Sequence, residues 1–109
     1  MENISNYNKY LSYESGRLKI EKIFLDDIAF KYGTPTFCYS VNQIKDNLNN
    51  LKNSFSKIKP LICYAMKANF NKGIIKIMSN NNLGVDVVSK GELKESLKCG
   101  IENKKIVFS

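Results

Sequence analysis

The residue of this chain best placed to do chemistry is Lys67, in Tyr64-Ala65-Met66-Lys67-Ala68-Asn69, just past the apolar run Leu61-Ile62-Cys63-Tyr64-Ala65. A lysine in water is a charged ammonium and a poor nucleophile. Burial disfavours the charged form, and the neutral amine that results attacks carbonyl carbon. The run after Pro60 has the length and the β-branched and aromatic content of a buried strand. Strand alternation then puts Leu61, Cys63, Ala65 and Lys67 on one face and Ile62, Tyr64 and Met66 on the other. The pattern predicts a lysine at the end of a half-buried strand, a candidate nucleophile toward an aldehyde or ketone. It also fits a strand-end lysine reaching into solvent, where most lysines lie.

A second chemical group is Asp86, the one acid in Gly84-Val85-Asp86-Val87-Val88. A carboxylate in a short apolar strand needs a partner, because an unpaired buried charge is costly. Lys67 is the economical partner, and a structural ion pair with another base is the alternative. Glu92 stands three residues after Ser89, the spacing of a capping box, which accounts for it without catalysis.

Several chemistries are excluded. The 109 residues contain no histidine, so no Ser-His-Asp, Cys-His or His-metal site can be assembled from them. Cys38, Cys63 and Cys99 are odd in number, lack metal-ligand spacing and sit in apolar segments as small hydrophobes, so neither a disulfide framework nor a metal site is expected. The net charge of +7 comes from sixteen lysines and one arginine spread along the chain. A nucleic-acid surface would cluster them and interleave aromatics, so they read as solvated helix faces, and a basic nucleic-acid-binding module is the disfavoured non-enzyme alternative. Neither a membrane span nor a secretory leader is visible, which makes the cytoplasm the expected location.

The elements that must position Lys67 can be read in order. Residues 1–19 form an arm or leader strand, its first sixteen residues polar and without assignable register, and Arg17 to Ile23 alternates as a short strand. A helix from Leu25 to Lys31 closes at Tyr32-Gly33 before Pro35. Thr36 to Tyr39 reads as a strand. Ser40 and Gln43 make a capping box for a helix whose apolar positions Val41, Ile44, Leu48, Leu51, Phe55 and Ile58 carry it almost to Pro60. After the lysine strand, Asn71 caps a helix from Lys72 to about Asn80, Gly84 to Val88 is a strand, Ser89 opens a helix ending at Cys99-Gly100, and Ile106 begins another strand. Strands alternating with single helices define βαβ units and parallel strands. Doubly wound sheets and eight-stranded barrels both begin this way, and a barrel needs roughly 250 residues. Ending on an uncovered strand, the chain reads as truncated.

Three stretches, Tyr32 to Ser40 (YGTPTFCYS), Tyr64 to Asn69 (YAMKAN) and Gly84 to Leu93 (GVDVVSKGEL), stand in the order and spacing of a known family. From about Ile20 onward the chain resembles the pyridoxal-phosphate-dependent decarboxylases of the alanine-racemase-like fold, in particular the branch acting on diaminopimelate. The resemblance implies an α/β fold, the N-terminal part of a (β/α)8 barrel truncated after the first few β/α units, with residues 20–109 an incomplete cofactor-binding barrel domain. It implies pyridoxal 5'-phosphate as cofactor, with Lys67 bonded to its aldehyde and later managing protons at the substrate α-carbon. Asp86 would lie beside it, Glu92 near the cofactor, and Ala65 and Asn69 would shape the turn and clear space for the ring. The implied reaction of the parent is decarboxylation of meso-diaminopimelate to L-lysine by a homodimer, with a small amino acid as substrate. The phosphate-binding loops and substrate-binding groups of such enzymes lie beyond Ser109, so this piece alone is expected to be inactive. One departure is Lys90, where the family usually has a small residue. Ornithine- or arginine-type decarboxylases of the same fold, and a non-catalytic protein carrying the same cofactor, are the runners-up.

Overall fold

Where apolar residues alternate near the N-terminus (Leu11 and Tyr13, then Leu18 and Ile20), the backbone folds back on itself at Ser15-Gly16, both in the left-handed region (φ 51° and 77°), which a two-residue hairpin turn requires. The computed structural model describes residues 3–109 and divides the chain into two compact units, residues 1–53 and 54–109.

In the first unit, β1 (Leu11–Glu14), β2 (Arg17–Ile20) and β3 (Ile23–Phe24) form an antiparallel meander in that order. The leader thus has a register, with Leu11 opposite Ile20 and Glu14 opposite Arg17, and the boundary expected after residue 19 falls inside β2. Helix α1 (Leu25–Tyr32) follows, ended by Gly33 at φ 84°. Arg17 ties it to the meander. Its guanidinium donates to both carboxylate oxygens of Asp26 at 2.8 and 2.7 Å, reaches Asp27 at 2.8 Å and lies over the Phe24 ring.

Residues 36–40 pair with no strand among the described residues, contrary to the strand expected over Thr36–Tyr39. An apolar alternation shows that a segment suits a sheet. A strand exists only where a neighbour takes its backbone hydrogen bonds. Helix α2 (Val41–Ser54) starts as its capping box predicts, the Ser40 hydroxyl accepting from the Gln43 N–H at 3.0 Å. It stops at Ser54 instead of running on to Ile58. Phe55 and Ile58 are exposed, so no buried face sustains another turn, and Lys59 takes a left-handed φ of 45°.

The second unit is a parallel three-stranded sheet with β5 (Gly84–Val87) between β4 (Cys63–Ala65) and β6 (Ile106–Phe108), linked by α3 (Lys72–Asn80) and α4 (Lys90–Lys98). The register sets Cys63, Tyr64 and Ala65 beside Gly84, Val85 and Asp86, and Val85, Asp86 and Val87 beside Ile106, Val107 and Phe108. Tyr64, Val85, Val87 and Ile106 pack with Met66, Ile75, Leu93, Cys99 and Ile101 into one core under the helices. Val85 and Val87 are fully buried, each contributing about 1.5–3 kcal/mol relative to exposure. Alternation leaves Cys63, Ala65, Gly84, Asp86 and Val107 on the opposite face. At Gly84 no side chain fits, since a Cβ would meet the Lys105 carbonyl oxygen at 2.2 Å and Cys63 Sγ at 2.8 Å.

Candidate functional site

Parallel strands bring their C-terminal ends to one edge, and Lys67, Asp86 and Ser109 all lie at or just past those ends. Strand β4 stops at Ala65, shorter than the apolar run suggests, and Met66–Ala68 forms a single 3₁₀ turn. Lys67 therefore sits in a helical turn, and the alternation that grouped it with Ala65 does not reach it. Met66 is wholly buried and takes the turn's one core-facing position, which leaves Lys67 exposed rather than desolvated by these residues. The turn is held from both sides. Tyr64 Oη donates to the Asn69 carbonyl at 2.7 Å, and Asn69 Oδ1 accepts from the Asn71 N–H at 3.0 Å. Asn69 thus shapes the turn as expected. The Lys67 amine makes no hydrogen bond or ion pair among the described residues.

Asp86 is half-buried on β5, in register with Ala65. Its expected ion pair with Lys67 is not made here. Asp86 Oδ1 instead accepts a hydrogen bond from Ser109 Oγ at 2.6 Å, a partner that sequence reasoning missed. Nothing local predicts it, because Ser109 and Asp86 meet only through the β5–β6 register. The carboxylate also acts on its own face: burial first, and the Asp86 charge second, push the Cys63 thiol above its ordinary pKa.

Glu92 completes the capping box. The Ser89 hydroxyl accepts from the Glu92 N–H at 3.1 Å, and Glu92 Oε2 accepts from the Val88 N–H at 2.7 Å. One of its oxygens is therefore already committed to the helix start. Glu92 also borders a cavity of about 630 Å³ with Met66, Phe70, Lys72 and Glu95, whose lining includes neither Lys67 nor Asp86. Lys90 is exposed, so the residue that departs from the family pattern is turned outward.

These residues suit a carbonyl-bearing cofactor with a cationic nitrogen. A free amine stands at the strand edge, a carboxylate lies on the neighbouring strand, and Ala65 keeps the shared face low beside it. Among the described residues no group of three or more Cys, Asp or Glu could hold a metal ion, and no helix is long and apolar enough to cross a membrane.

Known proteins resemble this chain in sequence and in fold. Over its full length the chain is 41% identical to diaminopimelate decarboxylase of Aquifex aeolicus, covering 26% of that protein. It is 46% identical over 84 residues to the Helicobacter pylori enzyme, covering 77% of this chain and 21% of that one. Crystal structures superimpose closely. One of an Aquifex aeolicus protein gives a TM-score of 0.89 at 41% identity, covering 98% of this chain and 26% of that chain. One of M. jannaschii diaminopimelate decarboxylase in complex with L-lysine gives 0.86 at 34% identity, covering 93% and 25%. The chain spans about a quarter of the length of these relatives. Its α/β units are the N-terminal part of an alanine-racemase-like barrel. Residues 41–109 match the pyridoxal-binding domain of the pyridoxal-dependent decarboxylases, and the chain belongs to that family.

Proposed function

We propose that this chain is the N-terminal piece of a diaminopimelate decarboxylase, a carboxy-lyase that converts meso-diaminopimelate to L-lysine and carbon dioxide with pyridoxal 5'-phosphate. One observation carries the reading: the Lys67 amine stands exposed and unengaged on a clamped turn, beside the strand bearing Asp86, in a chain of this family. When bound, pyridoxal phosphate supplies the sink for the electron pair left on the α-carbon as carbon dioxide departs.

The rest falls to the protein. Lys67 would hold the cofactor through its aldehyde carbon and, released from it, would carry a proton to or from the substrate α-carbon. Residues that complete the barrel would supply the desolvation that the first 109 do not. Asp86 would hold the positive charge next to Lys67, and Ala65, opposite it in the ladder, would leave room for a flat ring. Glu92 would anchor the start of α4 and lend its free oxygen to the cofactor's surroundings. The whole protein would act as a cytoplasmic homodimer on a small amino acid, with no nucleic-acid or membrane partner. The scatter of its lysines speaks against a nucleic-acid partner. Residues 20–109 would be the part of the barrel domain present here. Assay of the full-length protein on diaminopimelate, ornithine and arginine tests the reading, and preference for either of the last two would overturn the substrate.

A further inference from the structure

Asp86 finds its hydrogen-bond partner twenty-three positions away. Beyond β6 the ladder continues for one more bond, the Ser109 N–H donating to the Val87 carbonyl at 3.0 Å. Asp86 is in register with Val107, and alternation places Ser109, two residues on, over the same face. The backbone bond thus fixes where the hydroxyl starts, and the side-chain bond of 2.6 Å fixes where Asp86 ends. That length is typical of a hydroxyl donating to an ionised carboxylate. Oδ2 of Asp86 makes no hydrogen bond among the described residues. The two oxygens of one carboxylate are divided, one held by the neighbouring strand and the other free.

We infer that Ser109 is a positioning residue for Asp86: by holding Oδ1 it fixes the carboxylate's torsion and keeps Oδ2 for the cationic nitrogen at Lys67. The inference rests on Lys67 being the cofactor anchor, and it adds a residue that touches neither cofactor nor substrate. A carboxylate free to rotate spends part of its time turned away from the charge it serves. A serine on a laddered backbone removes that freedom without adding charge to the site.

The test uses the full-length protein with Ser109→Ala, Ser109→Thr, Asp86→Ala and the Ser109→Ala/Asp86→Ala pair. Two readouts are needed: the pH titration of the visible absorbance of the bound cofactor without substrate, and kcat and KM with it. Ser109→Ala should keep the cofactor on Lys67 while its titration midpoint falls by about one pH unit, because a loosened carboxylate stabilises the cation less. Its kcat should drop about tenfold with KM within about twofold. Ser109→Thr should restore both, and Ser109→Ala should add nothing once Asp86 is alanine. An unchanged titration and kcat in Ser109→Ala, or effects equally large without Asp86, would overturn the inference while leaving Lys67 in place. A wild-type protein with no cofactor on Lys67 would overturn both readings.

Discussion

Ala65 and Asp86 stand opposite each other in the parallel ladder of β4 and β5, on the face turned away from the helices. A methyl group beside a carboxylate leaves space at the height where a planar ring could lie, and Lys67 follows two residues after the methyl group.

If Lys67 anchors the cofactor, Lys67→Ala in the full-length protein should lose the visible absorbance of bound pyridoxal phosphate and all decarboxylation. Lys72→Ala, which removes a 3.5 Å ion pair with Glu95 in a cavity that Lys67 does not line, should retain both. Borohydride reduction followed by peptide mapping checks the same point. A reduced cofactor found on any other lysine would sink the assignment.

Glu92 separates capping from cofactor chemistry by substitution. Glu92→Gln keeps an acceptor for the Val88 N–H, so the melting temperature should hold while cofactor affinity drops several-fold. Ser89→Ala removes the acceptor for the Glu92 N–H and should cost about 1 kcal/mol in a denaturant titration.

Two glycines should respond in opposite directions to the same change. Gly84→Ala drives a methyl into the Lys105 carbonyl and Cys63 Sγ and should destabilise by about 1–3 kcal/mol or more. At Gly91, in the first turn of α4, an added methyl would meet only Ser89 Oγ, at an ordinary contact distance of 3.8 Å, so Gly91→Ala should stabilise by about 0.5–1 kcal/mol. Urea melts of the purified variants decide.

Acid should weaken the fold through three carboxylates. Hydrogen bonds from Lys19, Arg17 and Lys105, followed by the partners' charges, hold Glu14, Asp26 and Glu102 below their ordinary values of 4.5, 3.8 and 4.5. For depressed acids the stabilisation is complete above the unfolded pKa and is lost as pH falls through the lower folded one. Melting temperature should therefore be insensitive to these groups above about pH 5 and decline below about pH 4. All three side chains are exposed, so added salt should shrink the decline.

What could be read from the sequence was whatever lies within one turn or one strand. The caps at Asn71 and Ser89 are bonded as their spacing predicts, and α3 and β5 fall where the apolar pattern puts them. Lys67 and Asp86 could be singled out as chemistry, because an amine or a carboxylate next to an apolar run is itself the signal. Their surroundings could not. The 3₁₀ turn that carries Lys67 is decided by Met66 reaching the core and by Tyr64 reaching Asn69, and the partner of Asp86 by a register with a strand one helix downstream. The same limit explains Thr36–Tyr39, whose composition suits a sheet but which has no strand beside it.

The strand order of the second unit's sheet also suits assembly in the order of synthesis. Cys63 pairs with Gly84 and Val85 with Ile106, twenty-one positions on in each case, and every strand lies beside the one made just before it. A nascent chain built this way never waits for a distant segment. Each new strand finds its template already standing, with one intervening helix to close the loop, so the entropy lost at each step stays small and equal. Lys67 is set in its turn by the first strand of this sheet, so its placement waits on Tyr64 reaching Asn69 and Met66 reaching the core, both within a few residues of it.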